Sequence, residues 1–169
     1  MPPQIRNRRG ISNVVATIIL IAVAIALAVA VAVWVFGLAG SSAKTATLNV
    51  QAMGLSIGST SSTLTLVLSD LSSSSIGING FTLGGLTCTF STPIAVPSGT
   101  QGVQLIIIFN AGSNGSPASG NSAVSSVTFN NNPAGTPTCT GSVTLTPGVQ
   151  YSGELTTTSG QTYPFTVSS

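Results

Sequence analysis

The chain contains no histidine and only two carboxylates, Asp70 and Glu154, among its 169 residues. Without histidine a Ser-His-Asp relay has no base, and abundant serine does not replace it. Two acids so far apart in sequence would flank a glycosidic bond only if folding brought them together, and isolated acids are ordinarily turn or surface groups. Two cysteines with no histidine beside them make a poor metal site. Glycine is plentiful, yet no phosphate-loop spacing accompanies it. No catalytic, metal or cofactor-binding residue emerges, and the expectation is a protein that is not an enzyme and needs no cofactor. Basic residues are as scarce: Arg6, Arg8 and Arg9 crowd the start of the chain, and Lys44 is the fourth and last. Beyond Gly10 the side chains sum to minus one (Lys44 against Asp70 and Glu154). That leaves no surface for neutralising phosphates, which argues against a nucleic-acid partner.

What the chain has in quantity is apolar helix former. From Val14 to Phe36 no charge intervenes, and Thr17 is the one polar side chain. About fifteen large apolar side chains lie in this run, each stabilised by roughly 1.5–3 kcal/mol on leaving water. Exposure would therefore cost tens of kcal/mol. The segment belongs in a bilayer or against copies of itself. It exceeds the h-region of about 7–15 residues found in secretory signals and is long enough to span a membrane. The arginines ahead of it hold its start in the cytoplasm. Three fates are open to it: a cut behind the run, near Gly37–Ala39 or Ser41–Ala43; retention as a plain anchor; or a cut between Gly10 and Ile11 that keeps the whole helix.

Within the run, Ala22, Ala24, Ala26, Ala28, Ala30 and Ala32 alternate with larger aliphatic residues. Alternation is a strand signal, but both classes here are apolar, and a spanning strand needs a closed barrel. On a helix, Ala22, Ala26 and Ala30 form one small-residue ridge. Ala24, Ala28 and Ala32 form a second, about 200° away. Such ridges let backbones approach closely. A lone anchor needs none and a dimer needs one, so two opposed ridges suit a helix with partners on several sides. Trp34 and Phe36 close the run with interface-seeking aromatics, and Gly37 and Gly40 read as stop signals. A helix from Ile11 to Leu38 would run about 42 Å, longer than a hydrocarbon core requires.

The pattern Arg8-Arg9-Gly10 followed by Ile11-Ser12-Asn13-Val14-Val15 and a long aliphatic helix resembles the N-terminus of archaeal type IV pilins, over roughly residues 6–40. The resemblance implies a class III signal peptide and a prepilin peptidase that cuts on the cytoplasmic side at Gly10. It also implies assembly machinery, and a filament used for adhesion. One departure is plain. Bacterial type IV pilins carry Glu at the fifth mature position, and here that position is Val15, so alignment by a carboxylate on a neighbour's amine is not available.

From Thr45 onward serine and threonine make up roughly a third of the residues. Apolar clusters nevertheless recur between turn residues, which predicts strands at Leu48–Ile57, Ser62–Ser69, Ile76–Thr82, Leu86–Phe90, Val103–Phe109, Val124–Asn130, Ser142–Thr146, Tyr151–Thr157 and Tyr163–Val167. Val103–Phe109 is more continuously apolar than the others and reads as a central strand. The spacing indicates a β-sandwich of immunoglobulin-like kind. Trp34 belongs to the helix, so the Cys-Trp-Cys core of antibody domains is absent and strand order stays open. The fold class is thus α+β: residues 1–10 a cleavable leader, 11–40 a hydrophobic assembly or transmembrane helix, 41–169 an extracellular β-sandwich. Cys88 and Cys139 are either a disulfide, as export favours, or two buried thiols. A bridge closing about 50 residues would contribute roughly 4 kcal/mol in the chain-entropy model. Asn114-Gly115-Ser116 is a glycosylation sequon followed by Pro117, and Ser59–Ser62, Ser72–Ser75 and Thr156–Thr158 are candidate O-glycan stretches.

Two functional classes follow. The first is a structural filament subunit that polymerises with itself, sits in the membrane before assembly and is extracellular afterwards. The second is a membrane-anchored cell-surface protein that binds sugars or an envelope layer; an archaellum-type subunit shares the plan of the first. In either case a domain with so few titratable groups has little to lose in acid. We expect its far-UV circular dichroism to stay flat from neutral pH to about pH 2. A steep loss below about pH 5 would contradict this.

Overall fold

A computed structural model describes residues 9–42 and 47–169, with side chains described at 12–38 and from residue 47 onward. The chain divides into two compact units, Met1–Lys44 and Thr45–Ser169. In the first, helix α1 runs from Arg9 to Ser42, 34 residues. Neither Gly37 nor Gly40 ends it. An added Cβ at Gly37 would meet nothing, so this glycine is neither a turn nor a close-packing point, and apolar helix formers on either side carry the helix through it. At 1.5 Å per residue α1 is about 51 Å long. The expected leader up to Arg8 lies outside the described residues, as does Lys44.

The second unit is built of antiparallel strands in two sheets. The first sheet has the order β1-β2-β5-β7-β8, with β1 Leu48–Ile57, β2 Ser62–Asp70, β5 Val103–Phe109, β7 Val124–Phe129 and β8 Asn132–Pro133. The second has the order β11-β10-β3-β4-β9-β6, with β3 Ile76–Leu83, β4 Leu86–Val96, β6 Ala118–Ser119, β9 Thr138–Val143, β10 Gln150–Thr157 and β11 Thr162–Ser168. The fold is α+β with a β-sandwich, as the sequence led us to expect. Immunoglobulin sandwiches order their sheets A-B-E-D and G-F-C-C′. The run β11-β10-β3-β4 repeats G-F-C-C′, and β1-β2-β5 repeats A-B-E. The arrangement then departs: β7 follows β5 in the chain where D precedes E, and β9 and β6 extend the second sheet. Tyr151, at the start of the F-like strand β10, donates its hydroxyl to the Thr144 carbonyl (3.0 Å) and accepts from the Thr146 amide (2.8 Å). This is the upstream tether that a tyrosine corner supplies in immunoglobulin folds.

The core follows from period-two patterning. Along β2, Ser62, Leu64, Leu66, Leu68 and Asp70 face inward while Thr63, Thr65, Val67 and Ser69 are half-buried on the other face. Leu64 and Leu66 pair with Ile107 and Leu105 of β5, the central strand expected, while Leu68 and Phe109 are buried beside them. The second sheet contributes Ile78, Phe81, Leu83, Leu86 and Leu155. Phe81 lies against Phe109 edge-on, ring centroids 6.1 Å apart, and so joins the two sheets. Gly153 must be small, because a Cβ there would strike both the Thr82 carbonyl and the Phe165 ring.

The outermost strands of both sheets carry features that blunt an edge. β1 carries a bulge at Met53, where register shifts between Ala52 and Gly54. β8 and β6 are two residues each, β8 ending in Pro133. β11 carries Pro164, which has no amide to offer a further strand. These are recognised devices against edge-to-edge pairing. They disfavour polymerisation of this unit by strand addition.

Three departures from expectation have physical causes. β4 continues to Val96 past the predicted end at Phe90, because Ile94 and Val96 pair with Ile78 and Ile76 beyond a bulge. Pro93 reads as a breaker, but it sits where β9 has already ended. The strand predicted at Ser142–Thr146 is instead β9 at Thr138–Val143, drawn back by pairing of Cys139 with Cys88. The two-residue strands β6 and β8 carry no periodicity to read.

Cys88 and Cys139 are directly opposed on β4 and β9, and their sulfurs are bonded. The Cys139 amide donates to Asn121 Oδ1 (3.3 Å). Between them the chain leaves the second sheet to build β5, β7 and β8 in the first, so the bridge ties the return to its starting strand. Replacing both cysteines by serine is expected to lower the melting temperature by roughly 10–15 °C. Equal melting of variant and wild type would show that the bridge contributes nothing.

Candidate functional site: an apolar helix and a hydroxyl-covered sandwich

Every side chain from Ser12 to Leu38 on α1 is exposed. Val14 is 58 %, Trp34 67 % and Phe36 76 % exposed. The apolar character runs around the whole helix rather than along one stripe, which marks a helix meant to be surrounded. Among the described residues, Ser12–Leu38 is one helix long and apolar enough to cross a membrane, 27 residues with a mean hydropathy of 3.2. Thr17 donates its hydroxyl to the Val14 carbonyl at 2.8 Å, so the one polar side chain of the run is satisfied inside the helix and presents no donor to lipid or neighbour. The helix packs against partners or membrane.

The alanines occupy this exposed stretch as two helical rows. Ala22, Ala26 and Ala30 line one side, and Ala24, Ala28 and Ala32 the side about 200° round. Gly10 and Ile11, the expected cleavage junction, fall in the first turn of α1.

The β unit holds the remaining candidates apart. Asp70 ends β2 with no exposed surface, and Glu154 is exposed on β10 in the other sheet. Asp70 is a turn residue as expected but not a surface one. Its Oδ1 accepts from the Ser72 amide (2.9 Å) and from the Ser72 hydroxyl, closing the turn after β2. Its Oδ2 is buried without a partner. The two carboxylates do not converge. Among the described residues no group of three His, Cys, Asp or Glu side chains gathers to hold a metal.

Asn114 lies in the loop between β5 and β6, exposed, its Oδ1 accepting from the Ser116 amide at 3.1 Å. The loop folds over the β1–β2 turn, with the Ser113 amide on the Gly58 carbonyl and the Asn114 amide on the Ser59 carbonyl. This is the end of the sandwich opposite to the one where β1 begins, because β1 leaves Leu48 beside Asp70 and reaches Ile57 beside Ser62. The O-glycan stretches divide. Ser59, Thr60, Ser61, Ser73, Ser74, Ser75 and Thr158 are exposed. Ser62 is buried and donates to the Ala111 carbonyl, and Thr157 is buried among Ser159 and Gln161. Those two hydroxyls serve the fold and are withdrawn as candidates.

The disulfide and the apolar helix together point to a membrane or extracellular location. Comparison with known protein families and with curated proteins finds no match for this chain.

If both alanine ridges pack closely, bulk on either is destructive. Ala26→Leu and Ala28→Leu, on opposite ridges, are each expected to weaken helix self-association roughly tenfold, the scale of overpacking. Leu27→Phe, about 100° from both ridges, should leave it near wild type. Cross-linking in detergent micelles reads the difference, and indifference to both alanine changes would remove the ridges from the argument.

Proposed function

We propose that this chain is the major structural subunit of an extracellular archaeal type IV pilus, a pilin without enzymatic activity. One observation carries the reading. A helix apolar and exposed on all sides is joined to a sandwich that completes its own core, so the helix is the apolar surface left for copies to associate through. Subunits wait in the membrane with the helix in lipid. Removal of the leader at Gly10 by a prepilin peptidase frees Ile11 as the new N-terminus. Assembly machinery then exchanges lipid contacts for helix–helix contacts. The exchange is nearly neutral in apolar exposure, because both environments cover the same side chains. The β units tile the outside of the filament, where adhesion takes place and where Asn114 and the exposed hydroxyls are open to glycans.

The sandwich supports the same reading through its charge. With Asp70 buried, Glu154 is the one carboxylate at the surface of the described β unit. Identical copies therefore meet with little Coulomb repulsion. A helix about 51 Å long exceeds a hydrocarbon core of about 30 Å, and the excess is useful to an assembly in which neighbours overlap in stagger.

N-terminal sequencing of protein from sheared cell-surface material, with negative-stain microscopy of the same material, tests the proposal. Filaments whose subunits begin at Ile11 are expected. Intact Met1 and no filaments would make the chain an anchored surface protein. A start near Gly40 or Lys44 would make it a freely secreted domain and end the pilin reading.

A further inference from the structure

We propose that the β unit binds a neutral saccharide in a cleft lined by Gln101, Gln104, Asn130 and Asn131. The cleft, about 350 Å³, lies where the loop ahead of β5 meets the β7–β8 turn, and Gly102 and Val103 complete its lining. Its volume lies in the range of small-molecule sites, about 300–1,000 Å³. Larger clefts open at the β1–β11 side and beside β4, but Met53, Leu55, Ile57 and Pro147 line the first, and Ile94, Phe129 and Pro133 the second. The amide-lined cleft alone among these three offers four carboxamides.

The turn itself departs from what folding asks. Thr128 pairs with Pro133 and Phe129 with Asn132, which leaves a two-residue hairpin loop, Asn130-Asn131. Both residues have positive φ, 48° and 62°, the only side-chain-bearing residues in the described chain that do. This is a type I′ turn, whose first position favours Asn and whose second favours Gly. A carboxamide at Asn131 is retained where glycine would relieve the backbone. Strain kept at one place points to a use for the side chain there.

The four carboxamides are also unspent. Asn110, Asn114, Asn121, Asn132 and Gln161 use their side chains to hold loops and strands. None of the four at the cleft makes a side-chain hydrogen bond within the described residues; all four are exposed, as are Asn49, Gln51, Asn79 and Gln150, which likewise make none, but only at the cleft do four such groups line one cavity. Their backbones are fixed instead: the Asn130 amide donates to the Gln104 carbonyl (3.0 Å) and the Gly102 amide to Ser69 Oγ (3.0 Å). The backbones that carry the donors are held before any ligand arrives, and the carboxamides themselves stay free to turn toward it.

Chemistry narrows the occupant. Each carboxamide presents an acceptor and two donors side by side, the complement of a pair of neighbouring sugar hydroxyls. No charged side chain lines the cleft, so an anionic or cationic ligand would find no countercharge to offset its lost hydration. Val103 is the single apolar side chain, too little for a peptide anchor. A saccharide without charge fits what is left. The inference does not depend on polymerisation, because the cleft lies wholly within the β unit.

Full-length protein in detergent micelles is titrated with a panel of neutral hexoses, N-acetylhexosamines and their disaccharides, followed by saturation-transfer NMR. Saturable binding is expected, weakened about tenfold by Gln104→Ala and by Asn131→Gly, while Asn131→Gly melts at the same or a higher temperature because its turn is relaxed. No binding by wild type, or unchanged binding by Asn131→Gly, would overturn the proposal. A sugar on a neighbouring copy and one on a foreign surface share this chemistry. Filaments carrying Asn114→Gln separate them: a gain of free-sugar binding over wild-type filaments identifies the neighbour's glycan as occupant, and equal binding by both identifies a foreign one.

Discussion

The constraint on which this structure turns is the apolar surface of α1. About fifteen large side chains without cover amount to tens of kcal/mol, several times the net stability of an ordinary domain, which is about 5–15 kcal/mol. No rearrangement within the β unit could absorb such a term. The helix must be covered from outside, by lipid or by protein, throughout the life of the chain. The rest of the molecule is arranged so that this remains the single open demand. The sandwich completes its own core between Leu64, Leu66, Phe81 and Phe109, blunts its outermost strands with Pro133, Pro164 and the Met53 bulge, and ties its longest excursion with Cys88–Cys139. Association and folding are thereby separated between two units.

Much of this was legible because it rests on periodicity. The bounds of β1 and β5 follow from their apolar runs alone, and the central place of β5 follows from its having apolar residues on both faces: Ile106 and Ile108 are half-buried on the side away from the core. The helix was legible from length and hydropathy, though its C-terminal end was not. Glycine lowers helix propensity by about 1 kcal/mol, which is too little to stop a helix with strong formers on both sides of it.

What escaped the sequence was whatever depends on partners far away in the chain. Ser62 and Thr157 look like other exposed hydroxyls until Ala111 and Gln161 are seen to take them. Asp70 looks like a surface acid until its carboxylate is found closing a buried turn. The start of β9 is decided by Cys88, 51 residues earlier. Tyr151 reads as one more core aromatic, yet its hydroxyl spans five and seven residues to fix the corner before β10. Asn131 was visible only as turn chemistry. That its backbone is left-handed at a position where glycine is usual needs the register of β7 and β8, and register is a long-range property.

The near absence of charge ties the two units together. In the helix it permits residence in lipid, where a single central charge would cost about 2.5–3.5 kcal/mol on insertion scales. In the sandwich it weakens any repulsion between identical copies, and leaves hydroxyls and amides to meet water. A surface of that kind recognises by hydrogen bonding rather than by field, so it confers little long-range steering and depends on contacts held ready at short range. The Asn130-Asn131 turn is where we propose such a contact: its backbone is fixed by the β7–β8 pairing and by the Gln104 carbonyl, and the positive φ of both residues falls on a turn too small to endanger the core.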